Sequence, residues 1–305
     1  MNKGAFVEGL LTLFAISIVI FAILLPKEAR INLNQWPGAI PVQTTNTDPK
    51  YVSTSNVPTG SIYVNSGNAK YTSDPMGEYV IIENRGLNNV NITGWRLENG
   101  KSSRSYAVGS NYVQYSSDTG IIPQGVKVLS PQGRNSLESI VLKPNERAVI
   151  ISGSPGNLTS FPILSFKENS CTGYLTETYS FPSGHEKMCV RPNQDSGVSG
   201  LDSACKRYID GMRSCHKPVL NGLKSNNERC EDCVDGYEGL NSMCVNFIKT
   251  NYSYAGCVAN HQDDKDFEGR TWHVYLHRPW EMWGSSDETL SLYDSQNNLV
   301  YKTSF

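Results

Sequence analysis

The chain has 305 residues, a formal net charge of −2 and only 18 % charged residues. It has no block of Lys and Arg, so it lacks the basic footprint that a polyanion requires, and nucleic acid is excluded as a partner. The length allows roughly two domain-sized units, and the abundance of Gly, Ser, Asn and Thr favours turns and short strands over long helices.

The N-terminus comes first. Gly9 to Leu25 is an uncharged apolar run. With Ala5, Phe6 and Val7 it approaches the roughly 20 residues that span a bilayer. Residues 1–26 therefore read as an uncleaved transmembrane anchor. A cleaved signal peptide is one alternative. A leader of the type IV prepilin kind is another, since Lys3-Gly4 precede a helix with an early Glu8. Residues 27–59, punctuated by Pro37, Pro41, Pro49 and Pro58, read as an extended linker. The cysteines place the rest of the chain outside a cell membrane that the anchor crosses once.

Strands are expected from Ser61-Ile62-Tyr63-Val64 onward. Tyr79 to Ile82 is dense in β-branched and aromatic residues. Val90 and Ile92 alternate with Asn91. Trp95 and Leu97 alternate out of phase with them, which predicts a bulge at Thr93-Gly94. Further strands are expected at Val126–Leu129, Ser139–Leu142 and Ala148–Ser152, with a turn at Lys143-Pro144-Asn145-Glu146.

These residues carry a resemblance. Glu78-Tyr79-Val80-Ile81-Ile82-Glu83-Asn84, followed by Val90-Asn91-Ile92-Thr93-Gly94-Trp95-Arg96-Leu97, resembles the opening of a lamin-tail domain. Leu142-Lys143-Pro144-Asn145-Glu146 with Ala148-Val149-Ile150 is similar to the family's middle. Asp287-Glu288-Thr289-Leu290-Ser291-Leu292-Tyr293-Asp294 with Asn298-Leu299-Val300 resembles its last hairpin. Known members form an immunoglobulin-like β-sandwich, so the resemblance implies that fold over roughly 60–155 and 270–305. The departure is a long cysteine-rich insertion at about 160–268. It is similar to insertions with Cys-x-x-aromatic-Ile units in membrane-anchored proteins of small-genome bacteria.

All eight cysteines fall in this insertion: Cys171, Cys189, Cys205, Cys215, Cys230, Cys233, Cys244 and Cys257. An even, clustered set beside an apolar N-terminal run predicts disulfides formed in an oxidising compartment. Cys205-Lys206-Arg207-Tyr208-Ile209 and Cys244-Val245-Asn246-Phe247-Ile248 echo each other at helical spacing, with Asp202 and Asn241 as candidate N-caps. They read as a helical hairpin. Ten helical residues span about 15 Å, too far for a bond within one straight helix. Antiparallel helices would instead pair Cys205 with Cys257 and Cys215 with Cys244, the second helix ending near Tyr254.

The candidate site residues are few. Cys230 and Cys233 have metal-ligand spacing and could hold zinc with Cys244 and either His216 or Cys257. His261, Asp263, Asp264 and Asp266 form a dense polar cluster that could bind a metal through oxygen ligands, or simply be a solvated loop. Trp272, Tyr275, Trp280 and Trp283 form an aromatic cluster. Core packing is its ordinary use, and an exposed pair could stack on a glycan. Alternation puts Trp272 and Val274 on one side of a strand and Tyr275 on the other. There is no Gly-x-Ser-x-Gly, and the five histidines lie outside any catalytic signature, His185 reading as a loop residue.

The sequence therefore predicts a mainly β, immunoglobulin-like sandwich at residues 60–305, interrupted by a disulfide-rich α-helical insertion and preceded by a membrane anchor. The expected role is non-catalytic and cofactor-free: contact with an envelope protein or a glycan. A self-associating, pilin-like filament subunit and a metal-dependent envelope hydrolase are the alternatives.

Overall fold

The computed structural model describes residues 60–304, apart from 101–103, 109–110, 116–117, 131–134, 155–163, 178–180, 182–188, 219–233, 235–239 and 285–287. The expected anchor and linker lie outside the described residues. Among the described residues no helix is long and apolar enough to cross a membrane.

The protein is mainly β. The strands among the described residues are β1 (Ile62–Asn65), β2 (Tyr79–Asn84), β3 (Val90–Asn91), β4 (Arg96–Asn99), β5 (Arg104–Val108), β6 (Asn111–Tyr115), β7 (Thr119–Ile121), β8 (Val141–Leu142), β9 (Arg147–Ile151), β10 (Phe166–Asn169), β11 (Glu268–Tyr275), β12 (Thr289–Tyr293) and β13 (Leu299–Ser304). One sheet has five strands in the order β1-β2-β9-β11-β10, and a second has four in the order β13-β12-β4-β7. Short pairs β3-β8 and β5-β6 complete the described β structure.

Alternation along the strands explains how these parts pack. On β9, Ala148 and Ile150 join Val80, Ile82, Trp272 and Val274 in one core, which also takes Leu97, Leu290 and Leu292 from the four-stranded sheet. Val149 and Ile151 point the other way. They enter a second core with Phe166, Tyr275, Ile209, Ile248 and Cys257 from the cysteine-rich region. The five-stranded sheet is thus apolar on both faces, as its near-continuous apolar runs require. Trp272 and Val274 do face away from Tyr275, as their alternation predicts.

The final hairpin, β12 with β13, forms where the sequence places it. Its turn is closed by Asp294, which accepts from the Asn298 N–H at 2.8 Å, while Asn297 takes a positive φ of 69°. Two local expectations are corrected. Residues 92–95 make a turn instead of a bulge: the Trp95 N–H donates to the Ile92 carbonyl at 3.1 Å, and Gly94 sits at φ 78°. That turn moves the chain from the β3-β8 pair into the four-stranded sheet, and Val90, Ile92, Trp95 and Leu97 all remain buried in one core. Val126–Leu129 is not a strand. It makes a single parallel bridge to Phe166 at the start of β10, beside a Gly125–Glu138 bridge, because the pairing with β10 stops after one residue.

The cysteine-rich region has a topological role. β9 and β11 are neighbours and parallel, with Ala148 opposite Trp272 and Ile151 opposite Tyr275. Parallel neighbours need a crossover connection instead of a hairpin. The region between them is that crossover. It supplies edge strand β10, then helices α1 (Ser203–Gly211), α2 (Ser242–Asn251) and α3 (Tyr254–His261).

Candidate functional site

The helical layer is built from its caps upward. The Asp202 carboxylate accepts from the Cys205 N–H at 2.8 Å, and the Asn241 side chain accepts from the Cys244 N–H at 2.9 Å. These are the N-caps the sequence offers. The caps also bind each other, the Asn241 amide donating to Asp202 at 2.6 Å. The first turns of α1 and α2 therefore meet. Cys205 and Cys244, each third in its helix, are bonded to each other, with Cα atoms 5.7 Å apart.

The expected pairing of Cys205 with Cys257 and Cys215 with Cys244 is corrected, because helix starts meet where an antiparallel hairpin would oppose start and end. Cys257 lies on the separate helix α3 and bonds Cys171. Cys215, beyond the end of α1 at φ 64°, bonds Cys189. Cys230 and Cys233 lie outside the described residues. The zinc arrangement loses its remaining cysteines, since Cys244 and Cys257 are both committed to disulfides.

The four residues of the acidic cluster do not converge. His261 holds Asp264 through Nδ1 at 2.7 Å and Asp195 through Nε2 at 3.0 Å, so both ring nitrogens are occupied. Asp263 and Asp266 are exposed. Among the described residues no group of three or more His, Cys, Asp or Glu side chains is placed to hold a metal ion. His261 instead joins the end of α3 to the loop at Asp195. Burial works against its charged form, but Asp264 and Asp195 outweigh it and hold its pKa above the usual value. Burial raises the Asp195 pKa, which the charge of His261 opposes.

The aromatic cluster divides. Trp272 is 2 % exposed, and Tyr275 and Trp283 are fully buried. They are core residues and cannot present faces to a glycan, which corrects their assignment to a binding surface. Only Trp280 is partly exposed.

Three charged constellations were not visible in the sequence. Lys167 is buried, and its Nζ donates to Glu146 at 2.9 Å and to Glu268 at 3.2 Å. Lys143 and Lys127 also approach Glu268, at 3.4 and 4.0 Å. Partial burial opposes ionisation of Glu268, but Lys167, Lys143 and Lys127 outweigh it and keep its pKa low. His273 and Glu168 form a buried pair at 2.7 Å, with the imidazole stacked on Phe166. Glu78 is fully buried, and its carboxylate accepts the backbone N–H groups of Met282 and Trp283 at 2.6 and 3.0 Å. Burial raises its pKa to about 7 against those hydrogen bonds. None of these pairs has a short sequence spacing, so no local pattern signals them.

The surface between the helical layer and the sheets is concave. A groove of about 610 Å³ is lined by Lys127, Val128, Leu129 and Glu138 on one side and by Tyr254 and Val258 of α3 on the other. The Tyr254 hydroxyl ties the two sides together, accepting from the Leu129 N–H at 3.2 Å and from the Asn169 amide at 3.3 Å. The lining mixes the apolar side chains of Val128, Leu129 and Val258 with the charged pair Lys127 and Glu138, 3.8 Å apart. Comparison with known proteins finds no matching family model and no matching curated protein.

Proposed function

We propose that this is a non-catalytic cell-envelope protein, anchored through its N-terminal apolar segment, which displays a lamin-tail-like, immunoglobulin-like sandwich for contact with another envelope protein. The observation that carries this reading is the crossover stapled, among the described residues, by the disulfides Cys171–Cys257, Cys189–Cys215 and Cys205–Cys244. Disulfides persist in oxidising compartments and stiffen small helical layers that bury little core of their own. Two sheets sharing one apolar core support the sandwich assignment. The contact face is the helical layer with its groove. The aromatic cluster, being largely buried, has no part in it.

Lys249 and Lys265 are exposed on this layer. A membrane-impermeant, amine-reactive crosslinker applied to intact cells should modify both and join them to a neighbouring envelope protein. Modification that appears only after the membrane is permeabilised would overturn the location, and modification without any crosslinked neighbour would overturn the contact role.

A further inference from the structure

Strands β9 and β11 run parallel with Ile151 opposite Tyr275, so both chains leave the sheet at the same end. The chain after β11 then folds over the chain after β9. The Leu276 N–H donates to the Ile151 carbonyl at 2.9 Å, and the Arg278 N–H donates to the Ser152 carbonyl at 2.8 Å. The Arg278 guanidinium is pinned in turn, donating to the Thr119 carbonyl at 2.6 Å and to the Asp118 carboxylate. Between these anchors His277 adopts φ 54°, a left-handed conformation that is uncommon for a residue with a side chain. Such strain persists only where surrounding structure enforces it, and it gathers at functional positions.

Its consequence is specific. The Nδ1 of the exposed His277 lies 2.7 Å from the Oγ of the half-buried Ser154. The two residues are 123 positions apart, brought together by the parallel strand pair. The ring centroid lies 6.3 Å from that of Tyr275, the two rings tilted by 46°. Partial burial of the imidazole disfavours its charged form and holds its pKa below the ordinary value. A serine hydroxyl in hydrogen-bond reach of a neutral, positioned histidine is the arrangement that activates a nucleophile.

We propose that Ser154 is a nucleophilic serine with His277 as its base, and that it accepts an acyl group from an activated ester. The Ser154 Oγ attacks the ester carbonyl carbon as its proton passes to Nδ1 of His277. The new Oγ–C bond forms, the bond from that carbon to the leaving oxygen breaks, and the imidazolium proton goes to the leaving alkoxide or aryloxide. The products are an acyl-serine and a free alcohol or phenol, with no oxidant or reductant required. This activity is independent of the display role.

The test treats the full-length chain in detergent with p-nitrophenyl acetate and follows acetylation by peptide mass spectrometry. Acetylation of Ser154 is expected. Ser154→Ala should abolish it. His277→Asn, which tolerates the left-handed backbone, should slow it by about 10²-fold without changing the thermal midpoint. Acetyl groups on lysines alone, or an unchanged Ser154 rate in His277→Asn, would overturn the proposal and leave the pair as a tether between two strand ends. If His277→Asn lowers the midpoint, the rate of phenol release by the unmodified chain across pH decides. A rate that rises as the imidazole loses its proton supports the base, and a rate that does not rise overturns it.

Discussion

Replacing Cys205 and Cys244 together with alanine opens a closed loop of sequence separation 39 and leaves no free thiol behind. The chain-entropy relation assigns such a loop about 4 kcal/mol, and measured disulfides usually contribute about 2–4 kcal/mol. The link is not bypassed by its neighbours, because the routes through Cys189–Cys215 or Cys171–Cys257 are no shorter than the direct one. The helices it joins have nine and ten residues, below the roughly 12–15 at which an isolated helix becomes marginally stable in water. Their Ile209 and Ile248 share a core with Val149 and Ile151 of the sheet, so the layer should unfold with the sheet. A loss of about 3 kcal/mol in a domain of this size corresponds to a fall of about 10 °C in the thermal midpoint. Circular dichroism of the full-length double variant and the wild type, both without reductant, measures it. An unchanged midpoint would refute the reasoning, since it would mean that the bond is absent or that the helical layer does not contribute to the cooperative unit.

Other consequences can be checked on the same material. Trp95 is 2 % exposed and packs in the core between the sheets; Trp95→Ala should cost about 3–5 kcal/mol, read from denaturant unfolding, and a variant with wild-type stability would contradict that packing. Glu78 has a folded pKa raised from 4.5 to about 7 by burial. The folded state therefore holds this proton more tightly, so the contribution of Glu78 to stability is greatest below pH 4.5, falls as pH climbs, and has lost about 3 kcal/mol once pH exceeds 7. Glu78→Gln should flatten that part of the profile, and an unchanged slope would contradict it. His261 has the opposite charge and a raised folded pKa, so its stabilisation is complete below its ordinary 6.5 and fades as pH rises through the folded value. Thermal midpoints of His261→Gln across pH 6–9 (an interval of roughly this width brackets a raised His) should lose that decline; retention of the decline would show that another group causes it.

Much of the β framework is legible from local pattern. Tyr79–Ile82 is marked by its density of β-branched and aromatic residues and Thr289–Tyr293 by its resemblance to a lamin-tail hairpin, and both form strands at those positions. The caps Asp202 and Asn241 are read from the chain because an N-cap needs only residues three positions apart. Disulfide partners are not readable in that way. Cys205 bonds Cys244 because two caps bind each other across 39 residues, a contact with no signature in either segment. The aromatic cluster shows the same limit. Alternation correctly orients Trp272 and Tyr275 to opposite faces, but it cannot reveal that both faces of that sheet are covered. Ser154 with His277, and Lys167 with Glu146, likewise depend on the β9–β11 pairing, which a helical crossover separates in sequence.

The central claim is a disulfide-stapled layer on the outside of a membrane, and peptide-level mass spectrometry of the protein taken from its native membrane without reductant tests it most directly. The account predicts crosslinked peptides joining Cys171 to Cys257, Cys189 to Cys215 and Cys205 to Cys244, together with an N-terminal peptide that retains the apolar segment. Free thiols at these six positions would contradict it, removing both the oxidising compartment and the staples on which the display role rests.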